Sequence, residues 1–165
     1  MIVIALPGHQ SSDMSSAASS NFEPGASFDF AVIADAMKVM GHSAWLDMKR
    51  HAEGPDWVEI ALPWHADIVA DAESGVLASG PIISLMDNAT GIAVWKKRGF
   101  FLPQVTVDLR VDYMRPARPG ATVIGRGECY KITRSFAFVR GVAYDEDIDD
   151  PVAHVVGSFI LVGGA

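Results

Sequence analysis

Residues 79–97 read SGPIISLMDNATGIAVWKK, and Ile82, Ile83, Leu85, Met86, Ala89, Ile92, Ala93, Val94 and Trp95 occupy nearly every side of a 3.6-residue spiral. A helix that is apolar all round must be enclosed, so residues 80–97 form the central, buried helix of the molecule. Ser79 stands where an N-cap is wanted, and Pro81 suits the first turn. Downstream, after Pro103, residues 104–115 alternate through Val105, Val107, Leu109, Val111 and Tyr113, and further strand patterns follow at 121–133, 136–145 and 152–162. Arg118-Pro119-Gly120 and the stretch from Asp147 to Pro151 supply turns. Upstream, residues 43–51 and 57–63 read as a hairpin around Glu53-Gly54-Pro55, and a helix over 28–40 is capped by Ser27 and stopped by Gly41. Helix, two strands, long helix, four strands is an α+β order, met most economically by one curved antiparallel sheet wrapped around the central helix.

The 165 residues fit a single domain spanning 27–165, preceded by a Ser-rich stretch over 1–26 that lacks periodicity and is expected to be a flexible arm. Half the residues are hydrophobic and only 20% are charged, lean for a soluble monomer, so a homodimer or homotetramer is expected. A net charge of −7 has the wrong sign for a broad nucleic-acid or anionic-membrane footprint. The N-terminal MIVIALPG has no preceding Lys or Arg, and no apolar run approaches the ~20 residues of a membrane span. With one cysteine, Cys129, there is no sign of an oxidising compartment, and the expectation is cytoplasmic.

Asp87 is the lone acid on the apolar helix. An unpartnered buried carboxylate costs several kcal/mol, so it needs an explanation. One account is structural: Ser84, Asn88, Thr90 and Gly91 form a small polar stripe that satisfies it. The other is chemical: Asp87 faces a cleft as general base or nucleophile. The helix start at Ser79 and Gly80 offers free backbone N–H groups and the positive end of a dipole, suited to polarising a carbonyl. Thr106 falls on a polar strand face with Asp108, Arg110 and Asp112, where solvent exposure explains it, although its position also suits orienting a water. Arg115, Arg118 and Arg134 lie with Lys96, Lys97, Arg98 and Lys131 at element ends, either solvated or meeting phosphates. His9, His42, His51, His65 and His154 include no close pair at metal-ligand spacing, so no metal or other cofactor is implied. Gly125-Arg126-Gly127 lies in a strand pattern and lacks the third glycine of a dinucleotide loop, and Cys129 reads as a small core residue.

Three stretches carry a family resemblance: DAESGVLASGPIISLMDNATGIAV at 71–94, VTVDLRVDYMRPARPG at 105–120 and DDPVAHVVGSF at 149–159. Together they resemble the hotdog-fold acyl-CoA thioesterases of the phenylacetate-degradation (PaaI-like) family, over about residues 40–163. The resemblance implies a hotdog fold and Asp-assisted hydrolysis of acyl-CoA at sites between subunits, with CoA entering as part of the substrate. It matches Asp87 to the catalytic acid, Thr106 to a strand hydroxyl assisting the attacking water, and Ser79 to the first glycine of an HGG motif whose N–H binds the thioester oxygen. Asp71, Glu73, Ser84, Arg115, Arg118 and Arg134 are the candidate substrate-binding residues. The HGG segment reads Ala78-Ser79-Gly80 here, and the loop asparagine of some members is absent from Asp71-Ala72-Glu73-Ser74. A catalytically silent acyl-CoA-binding protein is therefore a second reading. A hydratase or dehydratase is a third, disfavoured because Ala66 to Lys97 contains no histidine to partner the acid.

Overall fold

The computed structural model describes residues 24–162, so most of the expected N-terminal arm lies outside the described residues. Its end is held: Gly25 N–H donates to Phe101 O and Phe101 N–H to Ala26 O, both at 2.8 Å. Two short helices follow, α1 (Phe30–Met37) and α2 (Gly41–Trp45). Then come β1 (Lys49–Glu53), β2 (Trp57–Leu62), a 3₁₀ turn (Ala66–Ile68), the long α3 (Ser79–Arg98), β3 (Gln104–Tyr113), β4 (Val123–Ile132), β5 (Phe136–Tyr144) and β6 (Ala153–Leu161). All six strands form one antiparallel sheet in the order β1-β2-β4-β5-β6-β3, with α3 packed across it. This is the hotdog arrangement.

Alternation along the strands decides what α3 touches. Val58, Ile60 and Leu62 of β2, Ala137, Val139 and Ala143 of β5, and Ala153, Val155 and Phe159 of β6 point inward and are buried with Leu85, Met86, Ala89, Ile92 and Val94 of α3. The Gly125-Arg126-Gly127 segment of β4 lies against the helix. A Cβ on Gly127 would stand 2.4 Å from Ala89 O, and one on Gly125 2.8 Å from Leu85 Cγ, so these glycines form the groove in which α3 lies. Cys129 is buried as expected, and burial pushes its thiol up to about 11.

Several expected boundaries are corrected. Asp29, not Ser27, caps α1, accepting from Ala31 N–H at 2.8 Å, because Ser27 is engaged in a backbone bridge with Phe100. That helix ends at Met37, and Gly41 opens the next one. The strand expected at 43–51 starts only at Lys49: α2 occupies its first residues, and Asp47, at φ 52°, turns the chain before the sheet begins. Ser79 is the first residue of α3 rather than its cap. Ala78 holds the cap position without a side-chain bond, leaving first-turn amides for other partners. The helix closes on Gly99 in the left-handed region, with Lys96, Lys97 and Arg98 in its last turn complementing the dipole.

The strict alternation of β3 is broken in register between Thr106 and Asp108, leaving Val107 as an extra, 57% exposed residue. Before this bulge the even positions Gln104 and Thr106 face α3, and after it the odd positions Leu109, Val111 and Tyr113 do. Thr106 is thereby turned away from the solvent-facing row of Asp108, Arg110 and Asp112. One helical edge meets the whole strand: Gly91 O accepts from Gln104 Nε2 at 2.7 Å, Asp87 from Thr106, and Ser79 O from Tyr113 Oη at 3.1 Å.

Candidate active site

Asp87 is 7% exposed, and its Oδ1 accepts a hydrogen bond from Thr106 Oγ1 at 2.7 Å. The two side chains lie in the wall of a cavity of about 280 Å³ whose other lining residues are His42, Ser43, Ile83, Ser84, Asn88 and Leu109. Three elements build it: α3 supplies the floor, β3 one side and α2 the other. The bulge at Val107 is what lets a strand residue expected on the solvent face reach the helix acid.

The polar stripe expected along α3 divides by direction. Ser84 and Asn88 turn toward α2, where His42 Nε2 lies 3.0 Å from Ser84 Oγ and Ser43 Oγ donates to Asn88 Oδ1 at 3.3 Å. Asn88 Nδ2 bonds back to Ser84 O at 2.8 Å. Thr90 turns the other way, donating to Met86 O at 2.7 Å and lying against Gly141 of β5. Asp87 and Gly91 are the members that face β3.

The remaining candidates separate in space. Ser79 lines a second cavity of about 330 Å³, with Ile82, Tyr113 and the segment Met114–Ala117, at the N-terminus of α3. Burial pushes the Tyr113 phenol above its usual range, so it stays a donor to Ser79 O. Nothing lies within 4 Å of where a Cβ would stand on Gly80, so its backbone is open to approach. Asp71 closes its own exposed loop: its carboxylate accepts from Ser74 Oγ and from the Glu73 and Ser74 amides at 2.9 and 3.0 Å, and the Ser74 bonds pull its pKa down. Asp71 and Glu73 line neither cavity.

The arginines do not form one anion site. Arg115 spends all its N–H groups within the fold: Nε on Asp150, Nη1 on Asp145 and Pro116 O, Nη2 on Asp145 and Asp150 O. Its guanidinium holds the Asp145 carboxyl down at about 2, and no donor is left for a phosphate. Arg118 is half exposed and pairs with Glu146. Arg134, exposed in the β4–β5 turn, lies at the far end of the ten-residue β4 from Arg118, roughly 30 Å away at ~3.3 Å per strand residue.

A family model described as the Thioesterase superfamily matches residues 74–152, which include α3, β3 and the Asp87–Thr106 pair. A protein of known structure from Pseudomonas aeruginosa is 37% identical, with a TM-score of 0.69 over 77% of this chain and 94% of that one. The chain belongs to the thioesterase superfamily. Within that superfamily it is PaaI-like: a mutant of the phenylacetic acid degradation protein PaaI from Thermus thermophilus is 28% identical, with a TM-score of 0.60 over 71% of this chain and 95% of that one. A thioesterase from Haemophilus influenzae, 16% identical, shares the fold, with a TM-score of 0.72 over 84% of this chain and 94% of that one. No curated protein matches the sequence significantly. Membership in the superfamily supports acyl-thioester hydrolysis as the general reaction and a small-molecule thioester as the substrate. No helix among the described residues is long and apolar enough to cross a membrane.

Sequence reasoning missed His42, Ser43, Ile83 and Leu109 as lining residues. Asn88 stood in the polar stripe without an assigned role. The signal for Leu109 lay in the strand alternation. For His42 and Ser43 there was none, because their partners are more than forty positions away on α3.

Proposed function

We propose that the chain hydrolyses acyl-CoA thioesters to the free acid and CoA, at sites assembled from two copies of the chain. The observation that carries this is the buried Asp87 carboxylate, facing a cavity and held by the Thr106 hydroxyl. Because Thr106 gives its only proton to Asp87, its lone pairs are left to accept from a water. Asp87 removes a proton from that water as it attacks the thioester carbonyl and passes it to the departing sulfur, or attacks the carbonyl itself to form an anhydride that the water then cleaves, its protons going to the departing sulfur and the product acid. In either route the C–S bond breaks, CoA leaves as the thiol and the Asp87 carboxylate is restored. The amides of Ser79 and Gly80, at the positive end of α3, stabilise the developing oxyanion.

The need for two copies follows from distance. Ser79 and Asp87 are eight positions apart on one helix, about 12 Å along its axis at 1.5 Å per residue. One carbonyl cannot touch both from the same chain. A second copy that brings its helix start to the Asp87 cavity completes the site. Of the three candidate arginines, exposed Arg118 and Arg134 keep surface to meet CoA phosphates, each at its own end of the β4–β5 hairpin, while Arg115 is a structural clamp.

Asp87→Asn tests the reading. It keeps volume and the bond from Thr106 but removes the basic carboxylate, so turnover of acyl-CoA should fall at least ~10²-fold while binding persists. Thermal stability should hold or rise, since a buried charge is lost. The binding-protein reading requires that the wild type bind acyl-CoA without turning it over. A lower thermal midpoint with undiminished turnover per folded molecule would sink the catalytic role.

A further inference from the structure

The side of the Asp87 cavity opposite β3 is formed by α2, and the chemistry above makes no use of it. His42 is held there on two sides, by Ser84 Oγ at 3.0 Å and by a stacked contact with Trp45, centroid to centroid 5.8 Å. The Trp45 ring is met edge-on by His65 at 6.4 Å. One residue on, Ser43 is tied to Asn88, so α2 is pinned to α3 at two positions one turn apart that bracket Asp87. Of the cavity-lining residues, Ile83 and Leu109 are apolar, and the α2 side presents His42 and Ser43, each already paired with a residue of α3.

We propose that His42 and Ser84 form the end wall of the acyl site and restrict it to short acyl groups. This rests on the hydrolytic reading above. A carbonyl held at Asp87 and Thr106 has the cavity ahead of it and the His42–Ser84 pair at its far side. A short acyl group packs on Ile83 and Leu109 and leaves that pair intact. A longer one must push into it, displacing His42 from its bond to Ser84 and from its stack on Trp45. His42 thus sets specificity without taking part in the bond changes.

The experiment is a straight-chain acyl-CoA series from acetyl to dodecanoyl, read as kcat/KM and, on Asp87→Asn, as Kd. The wild type should lose kcat/KM beyond a short chain length. His42→Ala and Ser84→Ala should each move that fall to longer chains, raising the octanoyl-to-butanoyl ratio about tenfold, the worth of roughly two further buried methylenes. His42→Gln, which keeps bulk and a bond to Ser84, should keep the wild-type profile. A pair that only pins α2 would instead lower the thermal midpoint and depress all chain lengths alike, and an unchanged ratio in both alanine variants overturns the proposal. Absent turnover with a chain-length limit still visible in Kd would remove the hydrolytic reading and leave the end wall standing. Turnover with a flat chain-length profile would do the reverse.

Discussion

The Thr106 hydroxyl is the smallest group on which the candidate site depends. A hydrogen bond to a charged group is worth roughly 1.5–3 kcal/mol, about ten- to a hundredfold. Thr106→Val preserves shape while removing the donor to Asp87 and the acceptor for water, so kcat should fall by about that factor with KM nearly unchanged, and Thr106→Ser should restore most of it. Equal kcat in Thr106→Val would separate the hydroxyl from the reaction. Asp87 was legible in the sequence because a lone carboxylate on an apolar helix violates the cost of burying charge. Thr106 was legible by resemblance, and the alternation of β3 argued against it, since a one-residue bulge reverses which face each residue takes. His42 was not legible at all. It falls between the helix stop expected at Gly41 and the strand expected from residue 43, and its bond reaches across to Ser84.

Among the elements, α3 was readable nearly to its ends, because an all-round apolar pattern has one physical solution, whereas α2 is five residues long and exists through its docking on α3. The glycines of β4 show the same dependence on packing. Gly127→Ala puts a methyl into the Ala89–Thr90 backbone, which cannot yield as a flexible side chain would, and should cost about 3 kcal/mol by thermal unfolding. Gly80→Ala, with open space around it, should cost far less. Arg115 joins the turn after β3 to the β5–β6 turn through Asp145 and Asp150. The folded-state pKa of Asp145 is depressed from 3.8 to about 2, so the stability it adds is present above about pH 4 and is lost as pH falls toward 2. Arg115→Met strands the buried Asp145 carboxylate and should lower neutral-pH stability by about 3 kcal/mol. The loss of stability between pH 4 and 2 should become shallower. If the acid limb of the unfolding curve stays the same, the clamp does not hold.

For the whole molecule, what local reading could not supply was the strand order, because β4 inserts beside β2 and β3 ends at the edge opposite β1 through pairings between distant segments. The two edges differ. β1 is short, bulged at His51 and charged at Lys49 and Arg50, devices that discourage further pairing. β3 is ten residues long, with Val107, Tyr113 and Met114 exposed along and just beyond it, near exposed Ile83 of α3. A long edge of this kind beside a half-built site calls for a second copy, and light scattering should give at least a dimer. Whether that copy completes the chemistry can be decided by mixing two impaired chains. Asp87→Asn lacks the carboxylate. Ser79→Pro lacks one of the two oxyanion N–H groups, a loss worth about 10²–10³ in kcat, yet suits its position, since proline is at home in a first helical turn and Ala78 already has the extended backbone that precedes one. In a mixed dimer one site carries both lesions and the other carries neither, so co-refolded chains should recover activity far above that of either parent, approaching one intact site per mixed dimer. If each site were built within one chain, every site in the mixture would keep a lesion and no activity would return.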